Sequence, residues 1–193
     1  MKQPEIKSSR LQLMLVATLF IGPLVVAMVL YYGEFNWRPV GLSNHGALLS
    51  PITNVVEPLS DQNTVEKLSE HWSLLFTSHD DCGPDTACRE GLYKMRQVRL
   101  MLGKNMDRVQ RVLLPALQPP ADDYLAAEQL GLVILNDAEL IAALQAQLPD
   151  DMAAGGFFLI DPIGNLVMYF EPDLNPRHML GDLKRLLSLS HIG

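Results

Sequence analysis

From Leu11 to Tyr32 the chain reads LQLMLVATLFIGPLVVAMVLYY, without one charged side chain, and only Gln12 and Thr18 are clearly polar. About 20 apolar residues at a rise of about 1.5 Å each reach across a hydrocarbon layer of about 30 Å. Residues 11–32 are therefore read as a transmembrane anchor. Pro23 after Gly22 can kink such a helix, and spans tolerate this because the freed backbone groups find other partners. Tyr31, Tyr32 and Trp37 offer rings for the headgroup belt. Lys2, Lys7 and Arg10 precede the run, against Glu5 alone. The positive-inside rule then keeps residues 1–10 in the cytoplasm and carries the rest across.

A cleaved leader is the rival reading, since Val25 and Ala27 place small side chains at plausible cleavage positions. A leader needs only about 7–15 apolar residues. Here the apolar run continues through Met28–Tyr32, which favours an uncleaved anchor. The expected location is the inner (plasma) membrane, single-pass, with a periplasmic domain. A disulfide persists in that compartment.

The residues beyond the anchor suffice for one ordinary domain. With 48% hydrophobic residues, that domain can bury a core without disulfide staples. The formal net charge is −7, and removing the basic N-terminus leaves the remainder more acidic still. Such a surface lacks the basic footprint that nucleic acid requires, so nucleic acid is not an expected partner.

Residues 33–59, with Pro39, Pro51 and Pro58, read as a lead-in. Within it, Gly46–Pro51 and Ile52–Val56 are expected to form a short hairpin. Residues 60–193 read as the folded domain. Trp72–Thr77 (WSLLFT) is a short apolar run suited to a buried strand. After the polar loop SHDDCGPDTAC, Ala87 to about Lys104 has a helical stripe of Leu92, Met95, Val98 and Leu102, with Asp85 or Thr86 as N-cap. Val109–Leu114 is a second strand. Ala121–Leu130 is a helix, Leu132–Leu135 a short strand, and Asp137–Leu148 another helix. Phe157–Ile160 and Leu166–Phe170 flank the turn Asp161-Pro-Ile-Gly-Asn, in which Asp161 accepts local backbone hydrogen bonds. Pro176–Ser188 closes the chain as an amphipathic helix. Strand–helix–strand units imply a parallel portion of sheet, and the hairpin adds antiparallel strands. The expected fold is α/β: a thioredoxin-like mixed central sheet flanked by helices, preceded by one transmembrane helix.

WSLLFTSHDD, Cys82, a short loop, Cys88 and then REGLYKMRQVRLML resemble the Sco/SenC family. So do GALLSPI upstream and FFLIDPIGNLVMYF followed by a helix. That family has a membrane anchor, an exported thioredoxin-like domain and two cysteines between the first core strand and its helix. It helps assemble the copper site of cytochrome c oxidase. The resemblance implies an accessory factor in respiratory oxidase biogenesis, acting by thiol–disulfide exchange or copper handling, with oxidase subunits or assembly factors as partners. The chain departs from the family at two places. Five residues, Gly83 to Ala87, separate the cysteines where the family has three. The family's copper-binding histidine maps near Ala153, and residues 151–156 (DMAAGG) contain no histidine. Nor does a proline precede Phe157, where thioredoxins keep a cis-proline.

Cys82 and Cys88 are the only cysteines. A disulfide needs Cα atoms about 4.4–6.8 Å apart, and a Gly-Pro turn can supply that approach. Near a helix N-terminus Cys88 gains a stabilised thiolate, while Asp80, Asp81, Asp85 and Glu90 oppose it. A reactive pair and an inert loop-closing disulfide are both open on this basis. With His79, the two thiolates form a soft-ligand set suited to Cu(I) or zinc. The sequence offers no role for His45, no ligand role for His71, a core role for Met179 and a frayed tail around His191. Asp122 and Asp123 read as a solvated helix start. The non-catalytic alternative is a scaffold that keeps the fold and a structural disulfide. A peroxidase is disfavoured, because no Pro and Thr stand ahead of Cys82 in the peroxiredoxin pattern.

Overall fold

The computed structural model describes residues 6–32, 44–78, 82, 86–115, 123–148 and 155–193. The chain divides into two compact units, Met1–Leu42 and Ser43–Gly193. In the first, α1 (Ile6–Tyr32) is a 27-residue helix with Pro23 inside it. Its stretch Arg10–Leu30 is long and apolar enough to cross a membrane. Thr18 donates its hydroxyl to the Met14 carbonyl at 2.9 Å, which satisfies a polar group that lipid could not.

The second unit is a six-stranded mixed sheet in the order β1-β6-β5-β2-β3-β4. Strands β2 (Trp72–Ser78), β3 (Val109–Pro115) and β4 (Leu132–Ile134) run parallel, and β5 (Gly156–Ile160) pairs antiparallel with β2. β6 (Asn165–Phe170) returns along β5, and β1 (Ala47–Asn54) adds an antiparallel edge. The helices are α2 (Gln62–Leu68), α3 (Ala87–Met101), α4 (Asp123–Glu128), α5 (Ala138–Gln145) and α6 (Pro176–Leu189), with a 3₁₀ turn over Gly103–Arg108.

Every residue of β2 and β5 is buried, as suits strands covered on both faces. Alternation divides the core between those faces. Leu74, Phe76, Phe157, Leu159 and Phe170 pack with Leu92, Met95 and Val98 of α3 and with Met179, Leu183 and Leu187 of α6. Leu75, Val112, Leu114, Phe158 and Tyr169 pack on the opposite face with Leu68 of α2 and with Leu140 and Leu144 of α5. Asp161 accepts from the Ile163 and Asn165 amides at 3.0 and 2.8 Å, so the hairpin turn has its expected chemistry.

Three expectations need correction. Where a hairpin was expected over residues 46–56, a single strand, β1 (Ala47–Asn54), forms instead. Pro51 lacks an N–H, and β1 tolerates it as an edge strand whose register with β6 breaks between Leu48 and Thr53. α2 was not expected, although Asp61 caps it by accepting from the Asn63 amide at 3.1 Å. The C-terminal tail is tied down. Arg108 donates to the carbonyls of Leu187, Ser190, Ile192 and Gly193 at 2.8–3.0 Å, and Trp72 Nε1 donates to Ile192 at 3.2 Å.

His45 also acquires a place. The buried carboxylate of Asp182 on α6 accepts from the backbone amides of His45 and Gly46 at 2.8 and 2.9 Å. The His45 ring stacks on His178, with centroids 3.9 Å apart. The entry into β1 is thereby fixed to α6.

Candidate functional site

Cys82 follows β2, and Cys88 is the second residue of α3. They are joined in a disulfide with Cα atoms 4.7 Å apart. Both cysteines are fully buried in the α3-side core. Cys82 has φ +54°, a left-handed conformation uncommon for a residue with a Cβ. Thr86 is the N-cap of α3, and its hydroxyl accepts from the Arg89 amide at 3.4 Å. The positive end of the helix dipole therefore lies at the turn that carries Cys88. Glu90 does not stand there as a bare charge. It pairs with Lys94 at 2.8 Å, which holds its carboxyl below the usual range.

A cleft of about 370 Å³ opens beside this turn. Its lining includes Phe76, Thr77, Ala87, Glu90, Lys94 and Gly156. Neither cysteine lines it. Gly91 lets α3 sit on the sheet here, since a Cβ at Gly91 would overlap the Phe76 ring. Gly156, and not a proline, immediately precedes Phe157. It has φ +148°, and a Cβ there would meet the Phe170 carbonyl and the Tyr169 ring. The Gly156 amide donates to Thr77 Oγ1 at 3.2 Å, and Tyr169 donates its hydroxyl to the Gly155 carbonyl at 2.8 Å. Burial, with Glu171 and Asp173 nearby, pushes the Tyr169 pKa up to about 12. The phenol thus keeps its proton and donates throughout the physiological range.

A polar network that sequence reading missed leads to the cysteine loop. Arg111, buried on β3, donates to Gln129 Oε1 and to the Leu130 carbonyl, both at 2.7 Å. Gln129 Nε2 donates to the Tyr124 hydroxyl at 3.1 Å. The Tyr124 ring carries the Arg89 guanidinium 3.9 Å above its centroid. Arg89 Nε donates to the Cys82 carbonyl at 3.0 Å. The one sequence signal was Arg111 itself, a charge inside the strand VQRVLL.

His79 and residues 151–154, where the family's histidine maps, lie outside the described residues. Among the described residues no three His, Cys, Asp or Glu side chains gather closely enough to hold a metal ion. In this oxidised form both sulfurs are committed to the disulfide, so neither is free to ligate a metal.

The family model for the transmembrane-like, thioredoxin-like, C-terminal domain matches residues 72–190. No curated protein matches the chain by sequence. Copper-bound Sco1 from yeast is a structural neighbour, with a TM-score of 0.51 and 18% identity over 65% of this chain and 83% of that one. Copper-bound ScoI from Arabidopsis thaliana matches with a TM-score of 0.50 and 15% identity, over 65% and 89% of the two chains. At such identities these neighbours establish the thioredoxin-like fold. Since the family model covers more than half of the chain, the protein belongs to the family of transmembrane-like proteins with a thioredoxin-like C-terminal domain.

Proposed function

We propose that this chain is a membrane-tethered thiol–disulfide factor serving respiratory cytochrome oxidase biogenesis, with its N-terminus cytoplasmic and its domain periplasmic. The observation that carries the reading is the Cys82–Cys88 disulfide, closed between the end of β2 and the first turn of α3. In the reduced protein one thiolate attacks a sulfur of a partner disulfide. The partner's S–S bond breaks, a mixed disulfide forms and the partner's other sulfur leaves as thiolate. The second cysteine then attacks its neighbour's sulfur, closing Cys82–Cys88 and releasing a reduced partner. Two electrons pass from the pair to the partner. The helix N-terminus favours Cys88 as the attacking thiolate. In a copper-handling version Cu(I) is the cargo, and the reduced pair would hold it with His79.

One observation favours a second reading. Both cysteines are fully buried, as in a disulfide that only braces a docking domain. Oxidase maturation in cells carrying Cys82→Ser, Cys88→Ser or both separates the two. Exchange predicts loss of maturation in each single variant and in the double. Full maturation in the double variant, with loss on deleting residues 44–193, selects the scaffold. A Cu(I) titration of the reduced full-length protein tests the cargo version. That version expects stoichiometric binding lost in either cysteine variant and weakened in His79→Ala. Binding no tighter than in the double variant retires it.

A further inference from the structure

We propose that Arg89, held on the face of Tyr124, is a positioning residue that sets the reduction potential of the Cys82–Cys88 pair. The inference rests on the reading that this pair is exchanged.

Arg89 follows Cys88 directly in the first turn of α3, and its side chain reaches back to the carbonyl of Cys82. One helical turn therefore carries one cysteine and the clamp on the other. The clamp is itself held from below. A guanidinium only donates, so the Gln129 oxygen must face Arg111 and its NH₂ must face Tyr124. The amide orientation is thus settled by Arg111, and it fixes the Tyr124 phenol from the α4 side. The Tyr124 ring gives Arg89 a flat cation–π seat, which orders a long side chain before any hydrogen bond is made.

Arg89 favours one redox state because of the Cys82 backbone. Closing the disulfide holds Cys82 at φ +54°, where its carbonyl meets Arg89 Nε. In the dithiol the covalent tie between Cys82 and Cys88 is gone. Its backbone can return to negative φ, which turns the carbonyl away. The charge-assisted bond from Arg89 then belongs to the disulfide form. A contact made only in the oxidised state lowers the reduction potential, whereas a contact made equally in both states leaves it unchanged. That difference separates a positioning role from a merely structural one.

The test equilibrates the full-length protein in detergent with graded ratios of reduced to oxidised dithiothreitol and counts free thiols by alkylation. Thermal midpoints of the oxidised and reduced forms are measured in parallel. Arg89→Met keeps the apolar stem and removes the donor. It should favour reduction about tenfold, a rise of about 30 mV, and lower the midpoint of the oxidised form more than that of the reduced form. Arg89→Lys, which retains charge but not the planar fork, should lie between Met and wild type. Tyr124→Leu should shift the potential in the same direction and be non-additive with Arg89→Met. It also provides the reading if Arg89→Met fails to fold. An unchanged potential in both variants, with equal losses of thermal midpoint in the two redox forms, overturns the inference and leaves thiol exchange standing. A wild-type pair that stays oxidised across the whole series removes the exchange reading, and this inference with it.

Discussion

Truncating Phe157 to alanine will cost the thioredoxin-like domain about 3–5 kcal/mol of stability. Phe157 is fully buried at the start of β5, opposite Phe76 in one register and Phe170 in the other. Its ring stacks on Phe76 with centroids 4.7 Å apart. Gly91 is already pressed against Phe76 from the α3 side, so the neighbours have little freedom to fill the void. The loss would be a large share of a typical domain's stability of about 5–15 kcal/mol. Denaturant unfolding with the disulfide intact measures it. Ile163→Ala, at a side chain 65% exposed in the hairpin turn, should stay within about 0.5 kcal/mol of wild type. Equal effects at the two positions would contradict the core described here.

The second large effect concerns the buried cation. Gln129→Leu should destabilise the domain by about 2–3 kcal/mol, because a buried charged donor loses one of its two acceptors, keeping only the Leu130 carbonyl. Arg111 is buried, and desolvation pushes its guanidinium below its ordinary pKa. Such a group tolerates the loss of a partner poorly. Arg111→Met in the Gln129→Leu background removes the under-paired charge and leaves an apolar pair of similar volume. The double variant should therefore be more stable than Gln129→Leu alone, measured by denaturant unfolding of both. A double variant less stable than the single one would show that Arg111 contributes through packing and not through its pairing with Gln129.

The parts of the fold that were legible in sequence are those with strong periodicity. The uncharged run from Leu11 to Tyr32, the strands WSLLFT and FFLI, and the stripe Leu92, Met95, Val98 each identify one element, because burial selects side chains at a fixed period. The hairpin turn at Asp161 was legible because its chemistry is local. What escaped was long-range or short. α2 has seven residues, too few for a periodic signal, and only its Asp61 cap announces it. The β1 edge was misread because Pro51 looked like a turn residue, whereas an edge strand accepts it. Asp182 bonding the His45 and Gly46 amides, and Arg108 holding the C-terminal tail, join residues far apart in the chain. No window along the sequence contains both partners.

The candidate site divides in the same way. The pairing of Cys82 with Cys88 was legible, since no other cysteines compete. The N-cap was legible to within one residue, as Asp85 or Thr86, and it is Thr86. The network behind the pair was not, because Arg89 lies on α3, Tyr124 on α4, Gln129 just past α4 and Arg111 on β3, and they meet only in the fold. Burial of the two cysteines was also not legible from a loop as polar as SHDDCGPDTAC. It bears directly on function, because an attacking thiolate reaches a shielded disulfide only once the surrounding structure has opened.

The reduction potential of Cys82–Cys88 in the full-length wild-type protein is the most direct test of the exchange reading. Equilibration in thiol–disulfide buffers, followed by alkylation, should show half-reduction between about −120 and −270 mV, the range of proteins that exchange thiols. A pair that stays closed until below about −300 mV would behave as a structural disulfide. That result would contradict thiol exchange and leave a thioredoxin-like domain without chemistry of its own.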